Sequence, residues 1–199
     1  MGLQIQPIRW SHEPANWQAD TQREFGDERT ESRRGLHPFA GVSTGYSQCG
    51  KSCFGLALGV LGGVRYGFLS RGDAFVAVGL GGFRQRPGVG LGEDGARALG
   101  LVVSFELGVR VWLGIRQIAF LGTSLLTRVV SVHLDPSLGA SGRFRGTAIL
   151  VPVHVGVGLG SRGAWELAVV GGLGGSKVRG QWYEGGIAAL AELRAAYAF

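Results

Sequence analysis

The sequence lacks a hydrophobic run long enough to cross a membrane as a helix. Although 45% of the residues are hydrophobic, no stretch of about 20 apolar residues is free of charges and helix-breaking residues. The nearest candidate, residues 146–161, contains Pro152, His154 and several glycines. A transmembrane strand, in contrast, needs only about 10 alternating residues. The composition therefore disfavours a membrane helix and leaves a membrane-spanning sheet open.

Cysteine is also scarce, because Cys49 and Cys53 are the only two in the chain. Two thiols cannot complete a structural zinc site by themselves, and we predict neither a metal centre nor another cofactor. In an oxidising compartment the two cysteines could close a tight loop. We predict this disulfide, with an ordinary pair of free thiols as the alternative.

The N-terminal residues 1–35 lack apolar periodicity and are instead rich in acidic residues and arginine. This composition is typical of a flexible or loosely docked arm, and we predict a mostly irregular structure for it. The first residues also lack the basic start and apolar core of a secretory signal. If the protein is exported, we expect the sequence to be its mature form.

Beyond this arm, which we place before a domain at 36–199, apolar and polar or small residues alternate with a period of two, the mark of strands with one apolar face. Eight such segments can be placed, at 38–47, 54–69, 74–84, 99–112, 117–133, 143–159, 164–176 and 182–199. The third and fifth are ambiguous. In the fifth, Arg128 does not share a parity with Thr123 and Thr127, and we expect a β-bulge there.

The connections between these segments alternate between tight turns and longer polar loops, as in small outer-membrane barrels. Residues 38–199 resemble an eight-stranded bacterial outer-membrane barrel of the OmpA and OmpX type. The ending Tyr197-Ala198-Phe199 is similar to the terminal signal that the barrel-assembly machinery reads. The resemblance implies an all-β fold, an antiparallel up-and-down transmembrane β-barrel in the outer membrane, and an even strand number places both termini in the periplasm.

Charged residues on the inner parity are expected to meet in the lumen of such a barrel. An eight-stranded barrel is just wide enough for side chains, and buried charges persist only when they are paired. The sequence thus predicts an ion-pair network that plugs the lumen, with a selective or gated ion path as the alternative. Its members are Arg65, Glu106, Arg110, Glu166, Glu192 and Arg194.

Aromatic residues cluster near the segment ends, which predicts two belts at the headgroup regions of a bilayer. The belt on the short-turn side comprises Tyr66, Phe68, Phe75, Trp112, Trp165, Tyr197 and Phe199. The belt on the long-loop side comprises Tyr46, Phe54, Phe83, Phe144, Trp182 and Tyr183. Aromatics that cap the core of a soluble sandwich are the alternative.

Basic residues gather on the long-loop side, where they could contact the phosphates of lipopolysaccharide. The candidates are Lys51, Arg84, Arg86, Arg143, Arg145, Lys177 and Arg179. A solvated rim without a specific ligand is the alternative. Nucleic acid is disfavoured, because these residues form no compact run and no binding fold is evident.

Two motifs suggest nucleotide binding or catalysis, and in each case another feature of the sequence disfavours that function. Residues 45–52 fit the phosphate-loop pattern GxxxxGK[ST], but the glycines that follow disfavour the helix that such a loop requires. Ser131, His133 and Asp135 alternate along one segment and have the residue types of a catalytic triad. Same-face neighbours on a strand lie about 6.5–7 Å apart, which makes a triad in a row awkward.

We therefore predict a small, non-enzymatic barrel with a plugged lumen and a structural, anchoring or partner-presenting role. Its expected partners are outer-membrane lipid or lipopolysaccharide, the barrel-assembly machinery during biogenesis, and another envelope protein. An enzyme acting on lipid acyl chains through Ser131, His133 and Asp135 is the first alternative, and a narrow passive channel is the second. A soluble ligand-binding barrel is the alternative at the level of the fold.

Overall fold

A computed structural model of the protein describes residues 34–49, 54–68, 71–85, 98–114, 116–134, 143–160, 164–179 and 184–199. The strands are β1 (Gly35–Cys49), β2 (Phe54–Gly67), β3 (Gly72–Gln85), β4 (Ala98–Leu113), β5 (Ala119–Leu134), β6 (Arg143–Leu159), β7 (Trp165–Arg179) and β8 (Glu184–Ala198). Each strand pairs antiparallel with the next, and β8 pairs with β1 to close the barrel. The predicted fold class is confirmed.

The barrel has two distinct ends. The loop end carries the connections 50–53, 86–97, 135–142 and 180–183. The turn end carries the connections 68–71, 114–118 and 160–164 and both termini of the barrel. The loop predicted between the seventh and eighth segments, at 177–181, is shorter than expected, because β7 continues to Arg179 and β8 begins at Glu184. Among the described residues, no helix has the length and apolar character needed to span a bilayer. The predicted N-terminal arm, apart from its last residues, lies outside the described residues.

The alternation in the sequence sets which side chains face outward. On β4, the side chains of Leu101, Val103 and Phe105 are between 48% and 63% exposed on the outer surface. Glu106 and Arg110 of the same strand are buried in the lumen. The same separation holds on β2 and β8, and also on β6 and β7 except at Arg145 and Lys177, which are exposed near the loop end. Because the outer face is apolar and the interior is narrow, a shift of one residue in any strand would turn its charges outward.

The predicted bulge in β5 is wrong. The register of β5 against β6 is the same on both sides of the ambiguous region, with Thr123 opposite Val153 and Leu126 opposite Leu150. Arg128 is buried in the lumen with Leu126, on the parity opposite to Thr123. The Thr123 hydroxyl donates a hydrogen bond to the carbonyl of Pro152 at 3.0 Å. The hydroxyl of Thr123 therefore has a hydrogen-bond acceptor within the sheet. No bulge is needed to explain a threonine on the apolar face.

The lumen is apolar near the loop end, a feature that the charge pattern did not predict. A cluster of buried side chains fills it there, and Leu126, Val170 and Ala188 are fully inaccessible. We call this cluster the apolar layer. It comprises Ala57, Phe83, Val102, Leu126, Val130, Ala148, Leu150, Val170, Ala188 and Leu190.

Inward aromatic rings lie over glycines on the neighbouring strand. Phe75 is opposite Gly108 and Phe120 is opposite Gly156. A Cβ atom built on Gly108 would lie 2.5 Å from the Phe75 ring and 2.7 Å from Cβ of Ser124. The narrow lumen thus accommodates large rings because the facing positions carry no side chain. This pairing accounts for part of the high glycine content.

The two predicted aromatic belts are only partly correct. Phe75, Phe83 and Trp112 are buried in the lumen, because each lies on the inner parity of its strand. Several of the other members do face outward, namely Tyr46, Tyr66, Phe68, Trp165 and Phe199. The side chains of Phe54 and Phe144, as well as Trp182 and Tyr183, lie outside the described residues.

Replacement of Gly108 by valine is expected to destabilise the barrel by about 1–3 kcal/mol, because the new side chain must displace Phe75. Gly82→Val is the matched control, since Gly82 faces outward and a Cβ there meets nothing within 4 Å. The free energy of unfolding in urea, followed by tryptophan fluorescence after refolding in detergent, measures both. Equal stability of the two variants would contradict the ring-over-glycine packing.

Candidate functional site

Near the turn end, a carboxylate on β7 holds two arginines from other strands. Glu166 accepts a hydrogen bond from Arg65 on one oxygen and from Arg110 Nη1 on the other, the latter at 2.6 Å. Arg110 Nε also donates to Asp73 Oδ1 at 2.8 Å. All four side chains are buried. We call these residues, Arg65, Asp73, Arg110 and Glu166, the Glu166 network.

Aromatic rings enclose the central cation of the Glu166 network. The guanidinium carbon of Arg110 lies 5.0 Å from the ring centroid of Phe120, 5.3 Å from Phe75 and 5.8 Å from Trp112. Trp112 Nε1 donates to Asp73 Oδ2 at 2.8 Å, so both oxygens of Asp73 are occupied. Cation–π contacts and charge-assisted hydrogen bonds are strong where water is excluded. The site is therefore a buried anchor that joins four strands.

A second group of ions lies further along the lumen and also alternates in sign. Arg194 Nη1 donates to Glu106 Oε2 at 2.6 Å, and its Nε and Nη2 donate to Glu192 Oε2 at 3.2 Å. Arg128 Nη2 donates to Glu192 Oε1 at 2.5 Å. We call these residues, Glu106, Arg128, Glu192 and Arg194, the Glu106 network. It links β4, β5 and β8 across the lumen.

A serine and a histidine complete the shell of Glu106 without forming a catalytic triad. The Ser124 hydroxyl donates to Glu106 Oε1 at 2.6 Å, and His154 Nε2 lies 3.0 Å from the same oxygen. Ser124 Oγ and His154 Nε2 are 2.8 Å apart. In a serine hydrolase triad the acid binds Nδ1 and leaves Nε2 for the serine. Here both contact Nε2, so the arrangement positions Glu106 and does not activate Ser124.

The two networks balance in charge. The described lumen contains four arginines, Arg65, Arg110, Arg128 and Arg194, and four acids, Asp73, Glu106, Glu166 and Glu192, in these ion pairs. The structure brings all six sequence-predicted lumen residues into the networks. The sequence reasoning missed Asp73, which lies one residue before the predicted third segment because β3 begins at Gly72, and Arg128, which lies on the fifth segment, whose parity was ambiguous. A consistent inner parity on β3 and β5 would have identified both.

Small cavities lie beside the networks. One of about 50 Å³ is lined by Arg110 and Glu166 of the first network and by His154 and Arg194 of the second. Another of about 30 Å³ is lined by Ser104, Glu106, Arg128 and Glu192. Each has room for a few water molecules and for nothing larger. Among the described residues, no three His, Cys, Asp or Glu side chains are grouped so as to hold a metal.

The rim cations are only partly described. Arg84, Arg145 and Lys177 are exposed near the loop end of β3, β6 and β7. Arg143 and Arg179 belong to strands, but their side chains lie outside the described residues, as do Lys51 and Arg86 altogether.

The residues proposed for catalysis and for a disulfide lie only partly within the described structure. Ser131 is half-buried on β5, opposite Arg145. The His133 side chain and Asp135 lie outside the described residues. Cys49 ends β1, and Cys53 lies outside the described residues, so the disulfide stays a prediction. The segment after the phosphate-loop motif forms β2, antiparallel to β1, and not a helix.

The predicted assembly motif belongs to a row of three aromatic rings in contact at the turn end. The ring centroid of Tyr197 is 4.9 Å from that of Trp165 and 5.1 Å from that of Phe199. The backbone N–H of Phe199 donates to the carbonyl of Pro38 at 3.0 Å. The last residues are thus part of the seam that closes the barrel.

Comparison with known proteins gives a likeness of structure alone. No protein-family model and no curated protein matches the sequence. The attachment invasion locus protein Ail of Yersinia pestis, solved with the heparin analogue sucrose octasulfate, superposes with a TM-score of 0.52 at 11% identity, covering 82% of this chain and 97% of Ail. Neisserial surface protein A gives 0.51 at 13% identity, covering 83% and 97%. The chain therefore has the fold of the small eight-stranded bacterial outer-membrane β-barrels.

Proposed function

We propose that the protein is an integral outer-membrane barrel with a sealed lumen, whose role is structural, anchoring or partner-presenting and not enzymatic. The observation that carries the proposal is the inversion of the molecule: large apolar side chains face outward around the barrel, and ion pairs lie inside. The fold that it shares with outer-membrane barrels supports this location.

The outer surface is unsuited to water. Leu58, Leu101, Val151, Leu173 and Leu193 are each between 59% and 68% exposed, on five different strands. Monomeric soluble proteins rarely expose contiguous apolar patches larger than a few hundred Å². An apolar band on all sides of a closed barrel is what a bilayer requires. This surface favours a membrane barrel over the soluble ligand-binding barrel.

The lumen is filled in two different ways along its length. The two ion networks occupy the turn end and the middle, and the apolar layer occupies the loop end. An ion that crosses the barrel would have to displace paired side chains and then enter an apolar constriction, which is costly in both steps. The filling therefore favours a plug over a conducting channel.

The orientation follows the same proposal. Both barrel termini lie at the turn end, which would face the periplasm, where Tyr197 and Phe199 would be read by the barrel-assembly machinery. The loop end would face outward, with its loops available to another envelope protein. There Arg84, Arg145 and Lys177 would lie at the level of the lipopolysaccharide phosphates, for which cationic side chains are suitable partners.

Refolding and conductance test the proposal together. We expect the purified chain to fold only in detergent or lipid, to migrate differently on a gel before and after heating, and to give no current steps in planar bilayers. A general porin in the same bilayers is the positive control. A folded, water-soluble monomer without detergent would contradict the membrane location, and regular conductance steps would contradict the sealed lumen.

A further inference from the structure

The exposed cations at the loop end are concentrated in one sector of the barrel. Arg145 and Lys177 are exposed on the adjacent strands β6 and β7. Their register places Lys177 opposite Thr147 and Arg145 opposite Arg179, so Arg145 and Lys177 are diagonal neighbours on one face. Such neighbours lie about 7–8 Å apart at the backbone, within reach of two long side chains that meet at one anion.

Near the loop end, the outward side chains of β4 and β8 are apolar. On β4 the outward residues are Leu99 and Leu101, and on β8 the outward residue is Ile187. Arg84 on β3 is exposed, but its register partners are Leu56 and Leu99. Arg84 therefore stands among apolar neighbours, whereas Arg145 and Lys177 are neighbours of each other among the described cations of the loop end.

A groove runs from this cation pair toward the middle of the barrel. It is lined by Arg145, Thr147, Ile149, Gly175, Ser176 and Lys177. A Cβ atom built on Gly175 would meet nothing within 4 Å, so the missing side chain leaves open space there. Gly175 lies between Ile149 on β6 and Ile187 on β8. The floor of the groove is thus apolar, and its outer end is cationic.

We propose that this groove binds one phosphate-bearing lipid, with the phosphate at Arg145 and Lys177 and one acyl chain along Gly175 and Ile149. The inference rests on the proposed function, because only a membrane places lipid against this face. The cations supply charge-assisted hydrogen bonds to phosphate oxygens, and the Thr147 hydroxyl lies at the same level. The apolar floor gives a lipid a contact that a soluble phosphate cannot use, which is why the occupant is a lipid and not a free anion.

Native mass spectrometry of the refolded protein in a non-ionic detergent tests this inference, with diphosphorylated lipid A as the probe. We expect one retained lipid per barrel for the unaltered protein. The apparent affinity should fall about tenfold in Arg145→Gln and again in Lys177→Gln, because each removes charge-assisted hydrogen bonds to phosphate. Gly175→Leu should also weaken binding, since it fills the groove and changes no charge.

The chain provides matched controls on β3, where Gly82 and Arg84 repeat the spacing of Gly175 and Lys177. A Cβ atom on Gly82 also meets nothing within 4 Å. Gly82→Leu should therefore leave the binding of lipid A unchanged, within about twofold. Arg84→Gln removes a cation at the same level but outside the groove, and it should weaken binding less than Arg145→Gln or Lys177→Gln does. Inorganic phosphate at millimolar concentration should not displace the lipid, and phosphatidylcholine, which is zwitterionic, should not be retained.

Three results would overturn the inference: equal losses in the β3 and β7 variants, unchanged affinity in the Arg145→Gln and Lys177→Gln double variant, or displacement by inorganic phosphate. Its failure is distinguishable from failure of the proposed function. If the barrel refolds in detergent and shows heat-modifiable migration but retains no lipid A, only the lipid site is wrong. If the chain folds in water without detergent, the membrane proposal fails first.

Discussion

Replacement of Glu166 by glutamine is expected to lower the free energy of unfolding by about 3–5 kcal/mol, the range for breaking a buried ion pair from one side. Glu166 is shared by Arg65 and Arg110, and both guanidinium groups are buried. A glutamine amide has one oxygen to accept a hydrogen bond, and its NH₂ group would face a guanidinium. Arg110 keeps Asp73, whereas Arg65 has no other ion-pair partner in the described lumen.

A second substitution tests whether the loss of stability in Glu166→Gln comes from the guanidinium of Arg65. Arg65→Met alone should cost less than Glu166→Gln, because Glu166 retains Arg110. Adding Arg65→Met to Glu166→Gln should recover part of the stability, since it removes the buried cation that Glu166→Gln leaves without a counter-charge. Urea unfolding of the refolded proteins, followed by tryptophan fluorescence, measures all three variants. Simple additivity of the two losses would contradict the shared-carboxylate geometry.

The ion networks also join positions that are far apart in the sequence. The contact between Arg65 and Glu166 connects β2 with β7, and the contact between Arg194 and Glu106 connects β8 with β4. Ladder hydrogen bonds hold only neighbouring strands, so contacts across the lumen are what relate opposite walls. We infer that the networks fix the relative stagger of the strands, because a slip would separate several buried charges at once.

The strand positions and their faces could be predicted from the sequence because this barrel is apolar on its outer surface and charged in its interior. On β4 and β8 the outward residues are apolar without exception, and Glu106, Arg110, Glu192 and Arg194 fall on the other parity. The alternation can be detected in each strand separately, since every strand has one face on the outer surface of the barrel and the other face in the lumen. The six lumen charges could be identified for the same reason.

The parts that were missed depend on contacts between strands. Phe75 and Trp112 were assigned to a membrane belt by their distance from a strand end, although each lies on the inner parity of its strand. The next strands make room for the two rings, with Gly108 opposite Phe75 and the Phe120 ring against Trp112. The apolar layer was missed because a buried leucine such as Leu126 or Leu150 gives no signal of which face it occupies when the outer face is apolar too. Such features require the register of neighbouring strands, which no single strand contains.

Replacement of Trp112 by alanine is expected to destabilise the barrel by about 3–5 kcal/mol, the range for truncating a buried large aromatic residue. Trp112 is 1% exposed, its ring centroid lies 4.9 Å from that of Phe120, and its Nε1 donates to Asp73 Oδ2. Truncation leaves a cavity, removes one wall around Arg110 and leaves one oxygen of Asp73 without its donor. Urea unfolding of the refolded variant measures the loss.

Trp165 is the matched control, because it lies at the same end of the barrel but faces outward and is 55% exposed. Trp165→Ala loses the ring contact with Tyr197, worth about 0.5–1.5 kcal/mol, and leaves no internal cavity. Trp112→Phe separates the hydrogen bond from the packing: it keeps an aromatic ring beside Phe120 and removes the donor to Asp73, which should cost about 1.5–3 kcal/mol. If Trp165→Ala proved as costly as Trp112→Ala, the turn end would be stabilised mainly at the lipid interface and not by the enclosed anion. The order Trp112→Ala, Trp112→Phe, Trp165→Ala, from most to least costly, is the result that an internally anchored barrel requires.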